Sequence, residues 1–208
     1  MLTLHLVNDQ VVVQDVAQIK RLRELGICGL LIGTLAKYPQ QNTYLLIPLL
    51  LSQYESMWLY RNTPCQLVTY PVDSRQKLLE SSKSSTSDGE FIVIPELAQT
   101  EYIMKDLPAL WNYNDIRYKV YSQLKENGWY LMSGFRFGGL FVAYPGDPLR
   151  FHSHLVVLPP TPEIELISLI RGGRLASGVK KVWILVDANE DNTKEDTCMF
   201  SIEWAGFG

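Results

Sequence analysis

A serine-rich stretch divides the 208-residue chain into two parts of unequal length. Residues 81–89 hold five serines, and no large apolar side chain lies among them. A segment of this composition buries too little apolar surface to offset the conformational entropy that it would lose on folding. The stretch therefore predicts a flexible linker over 81–90, between an N-terminal domain over 1–80 and a C-terminal domain over 91–208.

The first part has the pattern of a small α/β domain. Val11-Val12-Val13 predicts a strand, and apolar residues at helical spacing over 16–25, ending before Gly26, predict a helix. Ser52 and Glu55 have the spacing of a capping box, which predicts the start of a second helix. No cluster of reactive side chains occurs in this part, so we expect a docking or scaffolding domain.

The second part contains both strand and helix patterns, and we expect the α/β (α+β) class here, as a domain with a mixed sheet flanked by helices. Two helices are expected, one over 115–125 and one that starts at Thr161-Pro162 with proline in its first turn. A nearly continuous apolar run predicts a buried central strand over 179–186, opened by the unusual pair Lys180-Lys181. Further strands are expected over 129–132, 140–144, 152–158 and at the terminus from Cys198 to Trp204. Pro145-Gly146-Asp147-Pro148 predicts a turn between the second and the third of these strands.

Charge and cysteine content limit the classes of protein that this chain can belong to. Its 19 basic and 22 acidic residues argue against a free-standing nucleic-acid binder. Five of the acids lie in the window 187–196, however, and the rest of the chain is nearly neutral. Such a charge run predicts a solvated turn. The three widely spaced cysteines predict buried thiols in a reducing compartment, without a disulfide or zinc site.

Membrane insertion and secretion are not expected. The longest apolar run, over 44–51, has eight residues and is broken by Pro48, whereas a membrane-spanning helix needs roughly 20. The N-terminus lacks the basic start of a signal peptide, and Asp9 interrupts it early. We therefore expect a soluble, intracellular protein.

Two of the protein's three histidines, His152 and His154, lie two positions apart. On a strand this spacing places both side chains on one face, which is compatible with a metal pair completed by a carboxylate. A structural role, with one histidine hydrogen-bonded and the other at the surface, is the second interpretation. The third is a metal-free acid–base site, in which a histidine with a pKa of about 6.5 acts with Tyr144 and one lysine of the pair 180–181. The residues alone leave these interpretations open.

Several motifs together carry a family resemblance. They are the glycine-rich run 134–139, the run from Tyr144-Pro145-Gly146-Asp147-Pro148 to His154, residues 171–175, Val179-Lys180-Lys181 and the terminal residues 201–208. In these motifs the C-terminal part resembles the catalytic subunits of the tRNA-intron endonuclease family. Residues 22–51 are similar to one eukaryotic member, the subunit assigned to the 3′ splice site. The resemblance covers nearly the whole chain outside the linker.

The resemblance implies a catalytic triad of Tyr144, His152 and Lys181. The family histidine follows Arg-Phe, which selects His152 over His154, and the family lysine is the second of the pair 180–181. The implied reaction is attack of the RNA 2′-hydroxyl on the adjacent phosphate, without metal or cofactor. It leaves a 2′,3′-cyclic phosphate and a 5′-hydroxyl. The alternatives within the same complex are the 5′-site-cleaving subunit and a non-catalytic, tRNA-binding subunit.

The resemblance also implies partners. Arg174 and Trp204 match family residues that bind RNA, although Trp204 is explained nearly as well as the last core residue of its strand. The acidic loop 187–196 and the terminal strand match elements that contact other subunits, which implies a heterotetramer that binds pre-tRNA. A nuclear location is expected, with the cytoplasm or the mitochondrial surface as alternatives. Alone, the chain is expected to bind RNA weakly.

Overall fold

A computed structural model describes residues 1–7, 9–33, 46–69, 102–104, 107–188 and 197–203. The linker predicted over 81–90 lies outside these residues. The described residues form two β-sheets with helices packed on them, and this confirms the expected α+β class. No helix in the described ranges is long and apolar enough to cross a membrane.

The first sheet has six strands in the order β3-β4-β2-β1-β5-β6. Strand β1 is central, pairing antiparallel with β2 and parallel with β5. Strand β6 follows the serine-rich stretch in sequence, yet it pairs with β5 of this sheet. The strands are β1 (Leu2–Val7), β2 (Gln10–Val13), β3 (Leu30–Gly33), β4 (Leu46–Leu51), β5 (Cys65–Thr69) and β6 (Tyr102–Ile103).

Both helices of the first part begin as the sequence predicts. Helix α1 (Val16–Glu24) follows Asp15, whose side chain accepts a hydrogen bond from the Ala17 amide. Helix α2 (Gln53–Asn62) begins with a complete capping box between Ser52 and Glu55. The Glu55 carboxylate also accepts hydrogen bonds from the amides of Cys28 and Gly29, at 3.1 and 2.8 Å, so the cap joins α2 to the loop before β3.

The second sheet has five strands in the order β11-β10-β9-β8-β7. Strands β9 and β10 run parallel and the other neighbours antiparallel, which confirms the expected mixed sheet. Helix α3 packs on one face and helix α4 on the other. The elements are α3 (Ile116–Glu126), β7 (Tyr130–Ser133), a 3₁₀ turn (Phe135–Phe137), β8 (Phe141–Tyr144), β9 (Leu155–Val157), α4 (Leu166–Gly178), β10 (Val182–Val186) and β11 (Met199–Ile202).

The predicted start of helix α4 is wrong. The helix begins at Leu166, after Glu165 at its N-cap, and not at Thr161-Pro162. Thr161 instead forms a parallel β-bridge with Asp187, and its hydroxyl donates to the Glu163 carbonyl at 2.6 Å. A contact with a residue 26 positions away in sequence therefore holds this segment extended, and a local helix signal cannot anticipate it.

The predicted start of the central strand is also wrong. Strand β10 begins at Val182, because Val179 still caps α4 by donating its amide to carbonyls of that helix. Lys180 has a φ of 54°, a left-handed conformation that turns the chain between helix and strand. The lysine pair thus lies in this connection, directly before the strand.

Side chains of α2 join the two parts of the molecule. Tyr54 packs edge-on against Phe141, with ring centroids 5.5 Å apart, and Trp58 contacts the core beneath α3. The Lys125 ammonium donates to the Gly26 carbonyl at 2.8 Å and lies over the rings of Trp58 and Tyr130. We call Lys125, Gly26, Cys28 and Glu55, with the rings around them, the seam. Apolar packing and buried polar contacts both hold the two parts together there.

Candidate active site

Strand directions bring the three predicted catalytic residues to one edge of the second sheet. Tyr144 is the last residue of β8, His152 precedes β9, and Lys181 directly precedes β10. Because β9 is antiparallel to β8 and parallel to β10, the end of β8 lies beside the starts of β9 and β10. Residues that are up to 37 positions apart in sequence therefore share this edge.

Lys181 is held by the residue that follows His152. Its Nζ donates to the Ser153 carbonyl oxygen at 2.9 Å and also to Ser153 Oγ. The same ammonium lies 5.0 Å from the centroid of the Phe137 ring. Burial lowers the pKa of Lys181 below its ordinary value, since the cation loses hydration. Ser153 is itself buried, so the lysine has a fixed anchor.

A tight loop carries His152 to the surface. Asp147 accepts the Leu149 amide on its side-chain Oδ1 at 2.9 Å, and its carbonyl accepts the amides of Arg150 and Phe151. This confirms the turn that proline and glycine indicate in the sequence. A Cβ on Gly146 would lie 2.6 Å from the Phe151 ring, so a larger residue there would have to displace that ring. His152 emerges exposed directly after the loop.

Tyr144 is partly buried on the same side of the sheet as helix α4. Its ring and that of Phe137 both pack against the core on that side, which includes Val142 and Trp183. The Phe137 ring therefore links the surroundings of Tyr144 to those of Lys181. The arrangement provides a phenol, an imidazole and an ammonium group along one open edge, which is the set of groups needed for acid–base chemistry next to an anion.

Of the two predicted RNA-binding residues, the structure describes one. Arg174 is exposed on α4, two residues before Ala176, whose carbonyl accepts the Lys181 amide at 2.8 Å. Trp204 lies outside the described residues, as do residues 189–196 of the acidic loop. The terminal strand β11 is confirmed at the end of the sheet, and Phe200 projects from it with 59% of its surface exposed.

The surroundings of His154 bear on the alternative of a metal pair at His152 and His154. The His154 ring faces Trp129, with centroids 6.5 Å apart. Within the described ranges, no three His, Cys, Asp or Glu side chains form a group able to hold a metal ion.

The prediction of buried thiols holds for Cys28 but is wrong for Cys198, which is exposed, while Cys65 is intermediate. Cys198 directly precedes edge strand β11, and less of the protein covers it there.

Sequence reasoning missed two features of the site. Ser153, which anchors Lys181, lies between the two histidines and shows no distinguishing pattern of its own. Arg23 of α1 reaches the loop before His152, where its Nη1 lies 3.3 Å from Asp147 Oδ1. These residues are 124 positions apart, and no local signal in the sequence pairs them.

Comparison with known proteins finds matches for both parts of the chain. Residues 2–70 match the family described as TSEN34-like, N-terminal domain, and residues 114–195 match tRNA intron endonuclease, catalytic C-terminal domain. The tRNA-splicing endonuclease subunit SEN34 of Saccharomyces cerevisiae is 32% identical, over 93% of this chain and 98% of that protein. Subunit Sen34 of Homo sapiens is 39% identical over 44% of this chain and 29% of its own length. The tRNA-splicing endonuclease of Pyrobaculum islandicum is 29% identical over 94% of both chains.

Proposed function

Because this chain belongs to the tRNA-intron endonuclease family, as a tRNA-splicing endonuclease subunit, we propose that it cleaves pre-tRNA at the 3′ splice site through Tyr144, His152 and Lys181. The observation that supports this most is the position of all three residues at one sheet edge, where Lys181 is bonded to the neighbour of His152. No metal or cofactor takes part in the proposed reaction.

The reaction begins with the RNA 2′-hydroxyl next to the scissile phosphate. Tyr144 removes the proton from this hydroxyl as its oxygen attacks phosphorus. A phenol is a weak base at neutral pH, so a neighbouring positive charge has to assist this proton transfer. Lys181 provides that positive charge, and it also stabilises the charge that develops on the phosphate oxygens.

The Lys181 ammonium is oriented for this second task. It has three N–H donors, and two of them serve the carbonyl and the hydroxyl of Ser153. The third donor remains for a phosphate oxygen at the open sheet edge. Because Ser153 fixes the ammonium before RNA binds, the Lys181 side chain loses little further conformational entropy during the reaction.

His152 completes the reaction as the general acid. The bond between phosphorus and the 5′ oxygen of the leaving nucleotide breaks, and the imidazolium gives its proton to that oxygen. The products are a 2′,3′-cyclic phosphate and a 5′-hydroxyl. The exposed position of His152 at the end of its loop suits contact with a large substrate.

The finer features of this proposal rest on the resemblance and on the match to SEN34. We propose that Arg174 and Trp204 hold an unstacked base by stacking, and that the acidic loop and β11 contact the other subunits of a heterotetramer. The 3′ site is proposed because residues 22–51 resemble the 3′-site subunit, and because two of the relatives that span nearly the whole chain are named SEN34. A nuclear location is proposed on the same ground.

The test of this function uses the chain assembled with its partner subunits and an intron-containing pre-tRNA. His152→Ala should slow cleavage at one splice site about 10²–10⁴-fold. His154→Ala is the matched control, because His154 lies two residues away, is also exposed and faces Trp129, and it should cleave at the wild-type rate. Wild-type cleavage by His152→Ala would refute the triad.

Two further readouts identify the splice site that is cut and test whether cleavage needs a metal. In His152→Ala, the intron should stay joined to the 3′ exon; an intron that stays joined to the 5′ exon would reassign the subunit within the same family. Cleavage by the wild-type assembly should persist in excess chelator and leave 5′-hydroxyl ends that a polynucleotide kinase labels directly. Loss of cleavage in chelator, restored by one metal, would favour a metal site at His152 and His154.

A further inference from the structure

We propose that Arg23 is a positioning residue for cleavage, which fixes the His152 loop to the N-terminal part of the molecule through Asp147. The inference rests on the proposed role of His152. It gives the N-terminal domain a part in catalysis that requires no contact with RNA.

Helix α1 holds Arg23 at the boundary of the apolar core of the N-terminal part. Leu22 is fully buried, so its neighbour Arg23 leaves the core at a defined point. Three residues on, the Gly26 carbonyl accepts the buried Lys125 ammonium at 2.8 Å. The C-terminal end of α1 is therefore tied to helix α3 of the second part, and Arg23 extends from a stable base.

The ion pair with Asp147 continues this connection to the loop before His152. Arg23 Nη1 and Asp147 Oδ1 are 3.3 Å apart, and the two side chains are 27% and 30% exposed. Partial burial limits the number of conformations that each side chain can adopt. Among the described residues, the structure shows this ion pair as the polar contact between α1 and the run from Tyr144 to His152.

Asp147 transmits its position to the backbone before His152. The oxygen that faces Arg23 also accepts the Leu149 amide, and the Asp147 carbonyl accepts the amides of Arg150 and Phe151. A rotation of Asp147 would therefore change the path of residues 149–151. Since His152 follows directly, its imidazole would move relative to Lys181, which is anchored independently at Ser153.

A displaced general acid lowers the rate of the chemical step more than it weakens binding. An ion pair of this exposure is worth up to about 1 kcal/mol, which corresponds to about a fivefold change in rate. Loss of Arg23 should therefore reduce the single-turnover rate of the assembled enzyme at saturating pre-tRNA about fivefold. The pre-tRNA concentration that gives half the maximal rate should stay the same.

The experiment compares Arg23→Ala with Arg21→Ala. Both changes remove one positive charge from the last turn of α1, but Arg21 is exposed to solvent. Arg23→Ala should lose about fivefold in rate, whereas Arg21→Ala should cleave like the wild type. Equal losses in both variants, or a loss that appears only as weaker substrate binding, would show a general charge effect on RNA and overturn the proposal.

Charge exchange separates positioning from a loss of folding. Asp147→Arg alone should reduce the rate, and combining it with Arg23→Asp should restore part of the loss, as should Arg23→Lys relative to Arg23→Ala. No recovery in either variant would overturn the proposal. His152→Ala is measured in parallel: if it retains cleavage, the proposed function fails, and if it alone loses cleavage, only the role of Arg23 fails.

Discussion

Two lysines in this molecule have similar surroundings but lie in different regions. Lys125, at the seam, is buried between the rings of Trp58 and Tyr130, at 5.5 and 5.1 Å, and donates to the Gly26 carbonyl. Lys181, at the candidate active site, lies 5.0 Å from the Phe137 ring and donates to Ser153. In both cases burial lowers the pKa of the amine.

The difference between the two regions lies in access. The Lys125 ammonium meets a carbonyl of the other part of the chain, and the surrounding rings leave no open side for a substrate. The Lys181 ammonium lies at the edge of a sheet, where an anion can approach. One local arrangement, an ammonium group next to aromatic rings, can therefore either join two parts of a protein or act on a bound substrate. The surrounding fold decides which.

The largest expected effect is on the rate of RNA cleavage, when the lysine of the candidate active site is replaced. Lys181→Met keeps the length of the side chain but removes the charge near the phosphate, and should slow cleavage by the assembled enzyme about 10²–10³-fold. Lys180→Met removes the same charge one residue earlier, where the side chain is exposed, and should cleave at the wild-type rate. Single-turnover assays on pre-tRNA measure both. Equal losses in the two variants would contradict the distinction between the lysines.

The second prediction concerns stability at the seam. Lys125→Ala removes the donor to the buried Gly26 carbonyl and the ammonium that lies over two rings, so the free energy of unfolding should fall by about 2–3 kcal/mol. Lys181→Met should lower it by less, about 1–2 kcal/mol, because it removes the donor to Ser153 but Lys181 itself is less buried. Urea unfolding followed by tryptophan fluorescence gives both values. A smaller loss for Lys125→Ala than for Lys181→Met would reverse the proposed roles.

The third prediction tests the anchor of Lys181. Ser153→Ala removes a hydroxyl that accepts from the ammonium, and hydrogen bonds to charged groups contribute about 1.5–3 kcal/mol. Cleavage should therefore slow about tenfold, since the carbonyl of residue 153 still accepts. Ser133→Ala, at an exposed serine of β7, is the control. An unchanged rate in Ser153→Ala would mean that the carbonyl alone positions the lysine.

The smallest effect is a pH dependence of stability at the seam. Burial raises the pKa of the Cys28 thiol to about 12, from an ordinary value of 9.0. The folded state then binds more protons than the unfolded state between these values, so Cys28 lowers stability as the pH rises above about 9. Between pH 7 and 9.5 its contribution to the loss should be about 0.8 kcal/mol.

Urea unfolding at the two pH values, compared between the wild type and Cys28→Ala, measures this contribution. The variant should lose about 0.8 kcal/mol less than the wild type over the same interval. Comparing losses rather than absolute stabilities removes the cost of the truncated side chain from the result. An equal loss in both proteins would show that the thiol is open to solvent and that the seam is looser than the packing indicates.

Much of the local structure could be predicted because neighbouring residues cause it. The capping box at Ser52 and Glu55 and the turn after Tyr144 depend on contacts within a few positions, and both are present. The candidate catalytic residues could be named only through resemblance to a family. Their residue types alone were also compatible with a metal pair or a structural histidine.

The two wrong predictions of where an element begins have a common physical cause. The segment at Thr161-Pro162 has a helix-start signal, but its bridge to Asp187 holds it extended. The apolar run from Val179 predicts a strand, but Val179 still caps α4 and Lys180 turns the chain. In each case a tertiary contact or the end of a neighbouring element outweighed a local preference that is worth only fractions of a kcal/mol per residue.

The sequence by itself determined the class of fold, the caps and the turn that carries His152, because these depend on short-range geometry and on the spacing of apolar residues. Only the tertiary structure decided which partners the functional groups have. Ser153 binds Lys181 across 28 positions, and Arg23 meets Asp147 across 124. Such pairs are set by which strand ends share a sheet edge and where one core meets the next, and neither is encoded within a short stretch of chain.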